Sequence, residues 1–300
     1  MFKHILLPLD GSELAETAIP VAVSLAQKLG AQITLLHVIE KNAPESIHGQ
    51  THLTNEGDAC EYLSHVANEH IPGTIKVNRH VHTEEVEKVS QSIVQHSDEM
   101  APDLIILCAH GWGGVRDFVV GNIAQQVIAA GEVPVLLLKT GTTDGDTFEG
   151  FERILVALDG NLEHESGFDV AIPLAKALNA ELHLVQVVPT LFTLKPQHSA
   201  TGTLLPAATT ALLDIDADNA LEYLEEKIKA VTAAGVNVSA EVERGDPAQQ
   251  VVQSAIAQHS QLIVLGTHGK SGMDAFWVSS VAPKIVEQTR LPVLLVPVRR

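Results

Sequence analysis

The chain has 300 residues, of which 45% are hydrophobic, and a formal net charge of −18. This length fits one large domain or two ordinary ones, and the acidity argues against nonspecific binding to nucleic acids or anionic membranes. Every apolar run is shorter than a membrane-spanning helix, the N-terminus lacks a signal-peptide pattern, and two cysteines exclude a disulfide framework, so we expect a cytoplasmic protein.

Strands of the buried type alternate with amphipathic helices along the first half. The first strand ends at Asp10-Gly11, where Ser12 can cap a helix whose apolar residues recur every three or four positions as far as Leu29. Such alternation indicates a parallel sheet covered by helices on both faces. The later strands are predicted at 33–38, 75–81, 104–108 and 133–138, and the later helices at 56–69, 86–96 and 117–130.

The second half of the chain repeats the first. Residues 2–12 (FKHILLPLDGS) align without gaps with residues 151–161 (FERILVALDGN). Near the end of each copy, VPVLLL at 133–138 aligns with LPVLLV at 291–296. Matching segments of this length indicate a duplication.

Two tandem domains are therefore predicted, at residues 1–140 and 151–300, each an open α/β sheet of five mostly parallel strands. Between them, residues 141–150 begin with a small, polar run without periodicity, which is typical of a linker. The copies diverge at 41–53 and 189–213, which are irregular. The sequence leaves open whether these segments are lids or disordered loops.

A strand followed by a glycine-containing turn occurs in both copies and suggests a phosphate site. The second copy reads LIVLGTHG at 262–269, and after nine residues comes Ser279-Ser280. The first copy reads LIILCAHG at 104–111, and after nine residues comes Gly121-Asn122. In an open α/β sheet, such a strand-to-helix turn commonly holds the phosphates of a ligand.

These motifs resemble those of the universal stress protein family. The phosphate loop of that family has two glycines separated by two residues, a nine-residue spacer, and a glycine followed by Ser or Thr. The resemblance covers nearly all of both copies, so the chain looks like the tandem form. It implies a Rossmann-like, adenine nucleotide α-hydrolase-like fold and, as ligand, ATP or a related adenine nucleotide, with or without magnesium.

The resemblance also implies which residues contact the nucleotide. Asp10 and Asp159, at the ends of the first strands, correspond to the adenine-facing position, and Val38 and Val187 to main-chain adenine contacts. A plainer interpretation is that each Asp only organises an Asp-Gly turn and that the glycine loops only close the fold. The phosphate positions implied are Gly266, Gly269, Ser279 and Ser280 in the second copy and Gly111, Gly121 and Asn122 in the first.

Neither phosphate loop is complete. In the first copy, Cys108 replaces the first glycine, and its thiol would intrude on the first phosphate contact. In the second copy, Ser279 replaces the third glycine, which is a smaller intrusion, and Lys270 adds a positive charge. Because glycine lets backbone N–H groups approach a phosphate, we predict that the second copy is the better site.

The sequence evidence for other functional sites is weaker. His80 and His82 lie on one face of a predicted strand, a spacing that can begin a metal site, although the presence of 15 histidines makes chance spacing common. No general base for nucleotide hydrolysis can be identified, and no Walker or nucleophile-elbow motif occurs. We therefore expect slow turnover or none, with no catalytic and no metal-ligating residue.

The apolar fifth strands would lie at sheet edges, which invite pairing with another strand. Single-copy members of the family dimerise through this strand, so the resemblance implies that the halves pair here as an internal pseudo-dimer. Whether a further homodimer forms stays open. The predicted function is a stress-response regulator or sensor that binds an adenine nucleotide. A nucleotide-free interaction scaffold and a slow nucleotide hydrolase are the alternatives.

Overall fold

The computed structural model describes residues 1–43, 46–47, 50–109, 122–139, 148, 150–194, 204–267 and 281–298. Over these residues the protein is a mixed α/β structure in which each half contributes five strands to one open sheet. The predicted fold class is thereby confirmed. No helix in these ranges is long and apolar enough to cross a bilayer.

The first half follows the predicted alternation of strands and helices. Its strands are β1 (His4–Pro8), β2 (Gln32–Glu40), β5 (Val77–Val86), β6 (Leu104–Ala109) and β7 (Val135–Lys139), and a small hairpin of β3 (Ser46–Ile47) and β4 (Gln50–Thr51) follows β2. Its helices are α1 (Glu13–Glu16), α2 (Ile19–Leu29), α3 (Glu56–His70), α4 (Val89–Met100) and α5 (Asn122–Ala130).

The second half has the same order of elements. Its strands are β8 (Arg153–Leu158), β9 (Glu181–Val188), β10 (Val238–Arg244), β11 (Leu262–Thr267) and β12 (Val293–Pro297). A 3-10 turn (Leu162–His164) precedes its helices, which are α6 (Ser166–Leu178), α7 (Pro206–Ala233), α8 (Pro247–Ala257) and α9 (Val281–Gln288).

The ten strands form one sheet in the order β10-β9-β8-β11-β12-β7-β6-β1-β2-β5. Neighbouring strands are parallel except the central pair, in which β12 and β7 run antiparallel with Leu294 opposite Leu136. The two five-stranded sheets thus join through their fifth strands. Pro134 and Pro292 precede these strands, in positions where a missing N–H is tolerated.

The strands are apolar on both faces because helices cover both sides of the sheet. Adjacent residues of β1 show this directly: Leu7 packs into the core on the side of α2, α3, α6 and α7, and Leu6 into the core on the side of α4, α5, α8 and α9. Both side chains have no exposed surface. The same covering helices leave the ends of the strands as the accessible edges.

Two helix predictions need correction. The helix expected from Ser12 to Leu29 is divided at Thr17-Ala18 into α1 and α2, and Pro20, which lacks an N–H, lies in the first turn of α2 where no donor is needed. The third helix begins at Val89 instead of residue 86, because β5 extends as far as Val86.

The segment expected to be irregular at 189–213 is partly helical, since α7 begins at Pro206 and its first turns are rich in alanine, a strong helix former. The segment 41–53 contains the β3–β4 hairpin. Residues 195–203, and residues 141–147 and 149 of the predicted linker, lie outside the described residues.

Candidate functional site

The C-terminal ends of the parallel strands form the edge at which open α/β sheets bind ligands. In each half the chain leaves the first strand on one side and later returns on the other: β1 lies between β2 and β6, and β8 lies between β9 and β11. The crevice at this reversal adjoins Asp10 in the first half and Asp159 in the second. Both were predicted to face adenine.

Asp10 organises the turn from β1 into α1. Its Oδ1 accepts hydrogen bonds from the backbone N–H of Ser12, at 3.0 Å, and from the Ser12 hydroxyl, at 2.6 Å. The Ser12 Oγ in turn accepts from the N–H of Ala15 and caps α1. This carboxylate therefore has the turn role that was the plainer interpretation, and its oxygen Oδ1 is already engaged.

Residues 50–53, which we call the strap, lie across this end of β1. The side-chain oxygen of Gln50 accepts from the N–H of Glu13 at 2.7 Å. Leu53 packs on Gly11, where an added Cβ would lie 2.9 Å from a Leu53 methyl carbon. The His37 ring links the strap to the end of β1, with its nitrogens 2.8 Å from the Leu9 carbonyl oxygen and 3.1 Å from that of Leu53. The strap thus covers the candidate adenine edge of the first half.

Asp159 is more exposed to solvent than Asp10. Its side chain is 57% exposed, and its Oδ1 accepts from the N–H of Asn161 at 2.9 Å. Its Oδ2 lies 2.5 Å from His164 Nδ1, a contact that Asp10 lacks because Ala15 occupies the aligned position. The second half therefore presents an exposed carboxylate paired with an imidazole at the edge of the crevice.

Gly266 is required by packing against the turn that follows β8. A Cβ at this position would lie 2.5 Å from the carbonyl oxygen of His164, too close for any real contact. Reciprocally, a Cβ on Gly167 would lie 2.8 Å from the Gly266 nitrogen. The glycine of the predicted phosphate motif thus has a reason to be glycine even when no phosphate is bound.

Cys108 occupies the corresponding place in the first half. Its sulfur lies 3.3 Å from the Thr17 hydroxyl, so the thiol contacts the end of α1. Burial raises the pKa of this thiol above its usual value, and the Thr17 contact only partly offsets that effect. The thiol is therefore protonated at neutral pH and packs as a small, weakly polar group.

The remaining predicted site residues are only partly described. Val38 is buried at the end of β2, and Val187 is half-buried near the end of β9. Asn122 begins α5. The predicted phosphate residues outside the described ranges are Gly111, Gly121, Gly269, Ser279 and Ser280. The phosphate half of the site therefore stays a prediction.

A partly buried ionic group beside the second crevice was not predicted. Glu165 accepts hydrogen bonds from the Tyr223 hydroxyl, at 2.8 Å, and from the Lys227 ammonium, at 2.6 Å. Burial and the Glu165 carboxylate raise the pKa of Tyr223. This group ties α7 to the start of α6, because Glu165 lies between His164 and Ser166, the first residue of α6. Its sequence signal is the alignment of Glu165 with Glu16.

In the structure, a third histidine packs against the predicted pair of histidines on β5. His96 of α4, only 5% exposed, has its ring centroid 4.6 Å from that of His80 and 4.9 Å from that of His82. Its Nε2 lies 2.9 Å from His82 Nδ1, and its Nδ1 lies 3.1 Å from a Glu99 oxygen. Within the described ranges, however, no three His, Cys, Asp or Glu side chains are arranged to hold a metal ion.

This histidine cluster should make the protein sensitive to acid. Burial, with the nearby imidazoles of His96 and His82, lowers the pKa of His80 below its usual 6.5. The unfolded chain then binds more protons than the native state as the pH falls below 6.5, so stability is lost in that direction. We expect His80→Gln to lessen the fall in melting temperature between about pH 7.5 and about pH 5.

The exposed His70 of α3 supplies the matched control, since His70→Gln should leave that fall unchanged. A His80→Gln protein whose melting temperature drops as much as that of the wild type would contradict the prediction.

Comparison with known proteins agrees with the fold and with the duplication. The model of the universal stress protein family matches residues 1–139 and again residues 150–297. A universal stress protein of Methanocaldococcus jannaschii is 26% identical over 146 residues, which are 49% of this chain and 82% of the relative. One from Synechocystis is 30% identical over 141 residues, covering 46% of this chain and 86% of the relative.

Among solved structures, a universal stress protein from Archaeoglobus fulgidus is similar over the whole length. It matches with a TM-score of 0.71 at 19% identity, covering 99% of this chain and 98% of that chain. At this identity the likeness concerns the fold, including its tandem arrangement.

Proposed function

Because the chain belongs to the universal stress protein family, we propose that it binds ATP or a related adenine nucleotide and acts as a cytoplasmic stress-response regulator or sensor. The observation that carries the proposal is the exposed Asp159 carboxylate at the crevice where the strand order of the second half reverses. A carboxylate at this edge can accept a hydrogen bond from the exocyclic amine of adenine.

Electrostatics require that the phosphates be held locally. The chain carries a net charge of −18, so its overall field repels a nucleotide. Backbone N–H groups at a strand-to-helix turn can offset this repulsion, and the predicted phosphate motif, residues 266–280, lies in the sequence between β11 and α9. We place the phosphates there, with or without magnesium.

Nucleotide occupancy is proposed for the second half alone. In the first half, the strap covers the end of β1 and Asp10 is only partly exposed. In the second half, Asp159 remains 57% exposed. We therefore expect one nucleotide per chain.

Calorimetric titration of the full chain with ATP, with and without magnesium, tests the proposal. Asp159→Ala should weaken binding about tenfold, the loss expected for one hydrogen bond to a charged group, whereas Asp10→Ala should leave the affinity unchanged. Asn161→Gly disturbs the same turn but keeps the carboxylate, and so serves as a structural control. Absence of both heat and thermal shift at millimolar ATP would remove the binding proposal.

Opening the strap should create a second site. Replacing Gln50 and Leu53 together by alanine removes the bond to Glu13 and the packing on Gly11. The expected result is a rise in stoichiometry from one nucleotide per chain toward two. A stoichiometry that remains at one, in a protein with unchanged circular dichroism, would show that the strap is not what closes the first half.

Slow hydrolysis is the second candidate, and the pairing of Asp159 with His164 favours it, because a carboxylate on Nδ1 can orient an imidazole as a base. Our main proposal is a binding protein and not an enzyme. It predicts that phosphate release is no slower in His164→Gln than in the wild type; a clear fall in that variant would support hydrolysis.

The antiparallel pairing of β7 with β12 supports the internal pseudo-dimer. It gives each fifth strand a partner on the side that would otherwise be a sheet edge, so the chain does not need a second copy to cover that edge. We propose that the two halves together stand in for the dimer of single-copy relatives.

A further inference from the structure

Helix α7 carries two apolar stripes, of which only one is buried. Leu213, Ala217, Ala220, Leu224 and Val231 form the buried stripe, which packs on the sheet. On the other side of the first turns lie further apolar residues, with Leu212 61% and Ile215 54% exposed. At 3.6 residues per turn, these two and the exposed Ala208 lie within about 60° of one another.

The exposed stripe, formed by Ala208, Leu212 and Ile215, extends beyond the helix start. Leu205, which immediately precedes α7, is 59% exposed, and Phe192 is 98% exposed. The neighbours of Phe192, Leu191 and Leu194, pack against the cluster that contains Leu213. Apolar residues concentrated in this way on a protein surface commonly mark an interaction site.

The fold itself does not need this stripe. The equivalent helix of the first half, α3, has Glu56, Asp58 and Glu61 among its exposed residues, and its buried residues are confined to one face. The stripe is thus a property of the second half alone, although both halves build the same sheet.

The charges around the stripe restrict its partner. Helical spacing places Asp216 on one side of the stripe and Asp218 and Glu222 on the other, all of them exposed. Asp214, further from the stripe, is paired with Arg244 at 2.7 Å. A second copy of this chain would bring like charges together, and an anionic membrane would be repelled in the same way.

We propose that the exposed stripe of α7 is a docking surface for an amphipathic helix of a partner protein whose apolar face is flanked by lysine or arginine. The apolar face of the partner would cover Leu212 and Ile215, and its basic flanks would pair with Asp216 and Asp218. Helix-on-helix recognition of this kind uses anchors spaced three and four residues apart, which is the spacing of the stripe. The proposal is independent of nucleotide binding.

A synthetic peptide tests the surface directly. The probe is a labelled helical peptide of about 18 residues with leucines at three- and four-residue spacing and lysines on both flanks, titrated with the full chain by fluorescence anisotropy. We expect saturable binding that Leu212→Ser combined with Ile215→Ser weakens at least about tenfold. Leu162→Ser and Ile256→Ser change residues that are 72% and 65% exposed elsewhere, and should have no effect.

Two further experiments test the charge of the partner and exclude other occupants of the stripe. Asp216→Lys with Asp218→Lys should weaken the lysine peptide and strengthen a glutamate-flanked peptide of the same leucine pattern. The proposal is overturned if the serine variants bind the lysine peptide as well as the wild type does. It is equally overturned if sedimentation shows a dimer that those variants abolish, or if they abolish binding to phosphatidylserine vesicles.

Discussion

Gly266→Ala should lower the free energy of unfolding by about 3 kcal/mol, in the absence of any nucleotide. The added Cβ would lie 2.5 Å from the carbonyl oxygen of His164, and that oxygen belongs to the backbone, which cannot move aside as a flexible side chain can. The turn after β8 must therefore shift away from β11. Chemical denaturation of the nucleotide-free protein measures the effect.

Gly73→Ala is the matched control, because nothing lies within 4 Å of a Cβ added at that position, and its stability should change by less than about 0.5 kcal/mol. The comparison also separates two explanations for the glycine. If Gly266 serves only the approach of a phosphate, the nucleotide-free stability of Gly266→Ala will equal that of the wild type. Such a result would contradict the packing explanation.

Lys139→Met should stabilise the protein at pH 7 by about 2 kcal/mol. Lys139 is 2% exposed at the end of β7, and its ammonium donates to the Val286 carbonyl oxygen at 2.8 Å across the junction of the halves. Burial lowers its pKa from 10.5 to about 8, although Cys108 and Glu287 act in the opposite direction. Methionine avoids burying the charge but leaves the Val286 carbonyl without this donor, so the gain is partial.

The pH dependence identifies the cause. Between about pH 8 and pH 10.5 the unfolded chain binds the lysine proton more strongly than the native state does, so the stability contributed by Lys139 rises with pH. The advantage of Lys139→Met should therefore shrink across this range. Lys176→Met, at an exposed position on α6, should change little at any pH. A Lys139→Met protein less stable than the wild type at pH 7 would show that the bond to Val286 outweighs the cost of burial.

Local patterns in the sequence predicted most of the fold. The alternation of apolar strands with helices predicted the α/β class, and the repeat of residues 2–12 at 151–161 predicted two equivalent units. These signals are local because strand and helix periodicities act over a few residues. The division of the helix after Ser12 was missed, because Pro20 is compatible both with a helix start and with a loop.

Much less of the candidate site could be predicted. The positions of Asp10 and Asp159 at the ends of strands followed from the sequence, but their different surroundings did not. The turn that follows Asp10 is covered because Leu53, more than forty positions away, packs on Gly11, and Asp159 is paired because His164 turns back toward it. Such contacts depend on the paths of the loops relative to the sheet, and the hydrophobic periodicity of the sequence does not predict those paths.

By itself, the sequence determined that this protein is a duplicated α/β chain whose two glycine-containing turns differ. Repeats and strand patterns can be recognised because they depend on the order of neighbouring residues. Only the tertiary structure decided that Gly266 faces a backbone oxygen, that Lys139 is buried at the junction of the halves, and that α7 has a second apolar stripe exposed. Each of these depends on which surfaces meet when distant segments pack, and burial is a property of that packing and not of residue type.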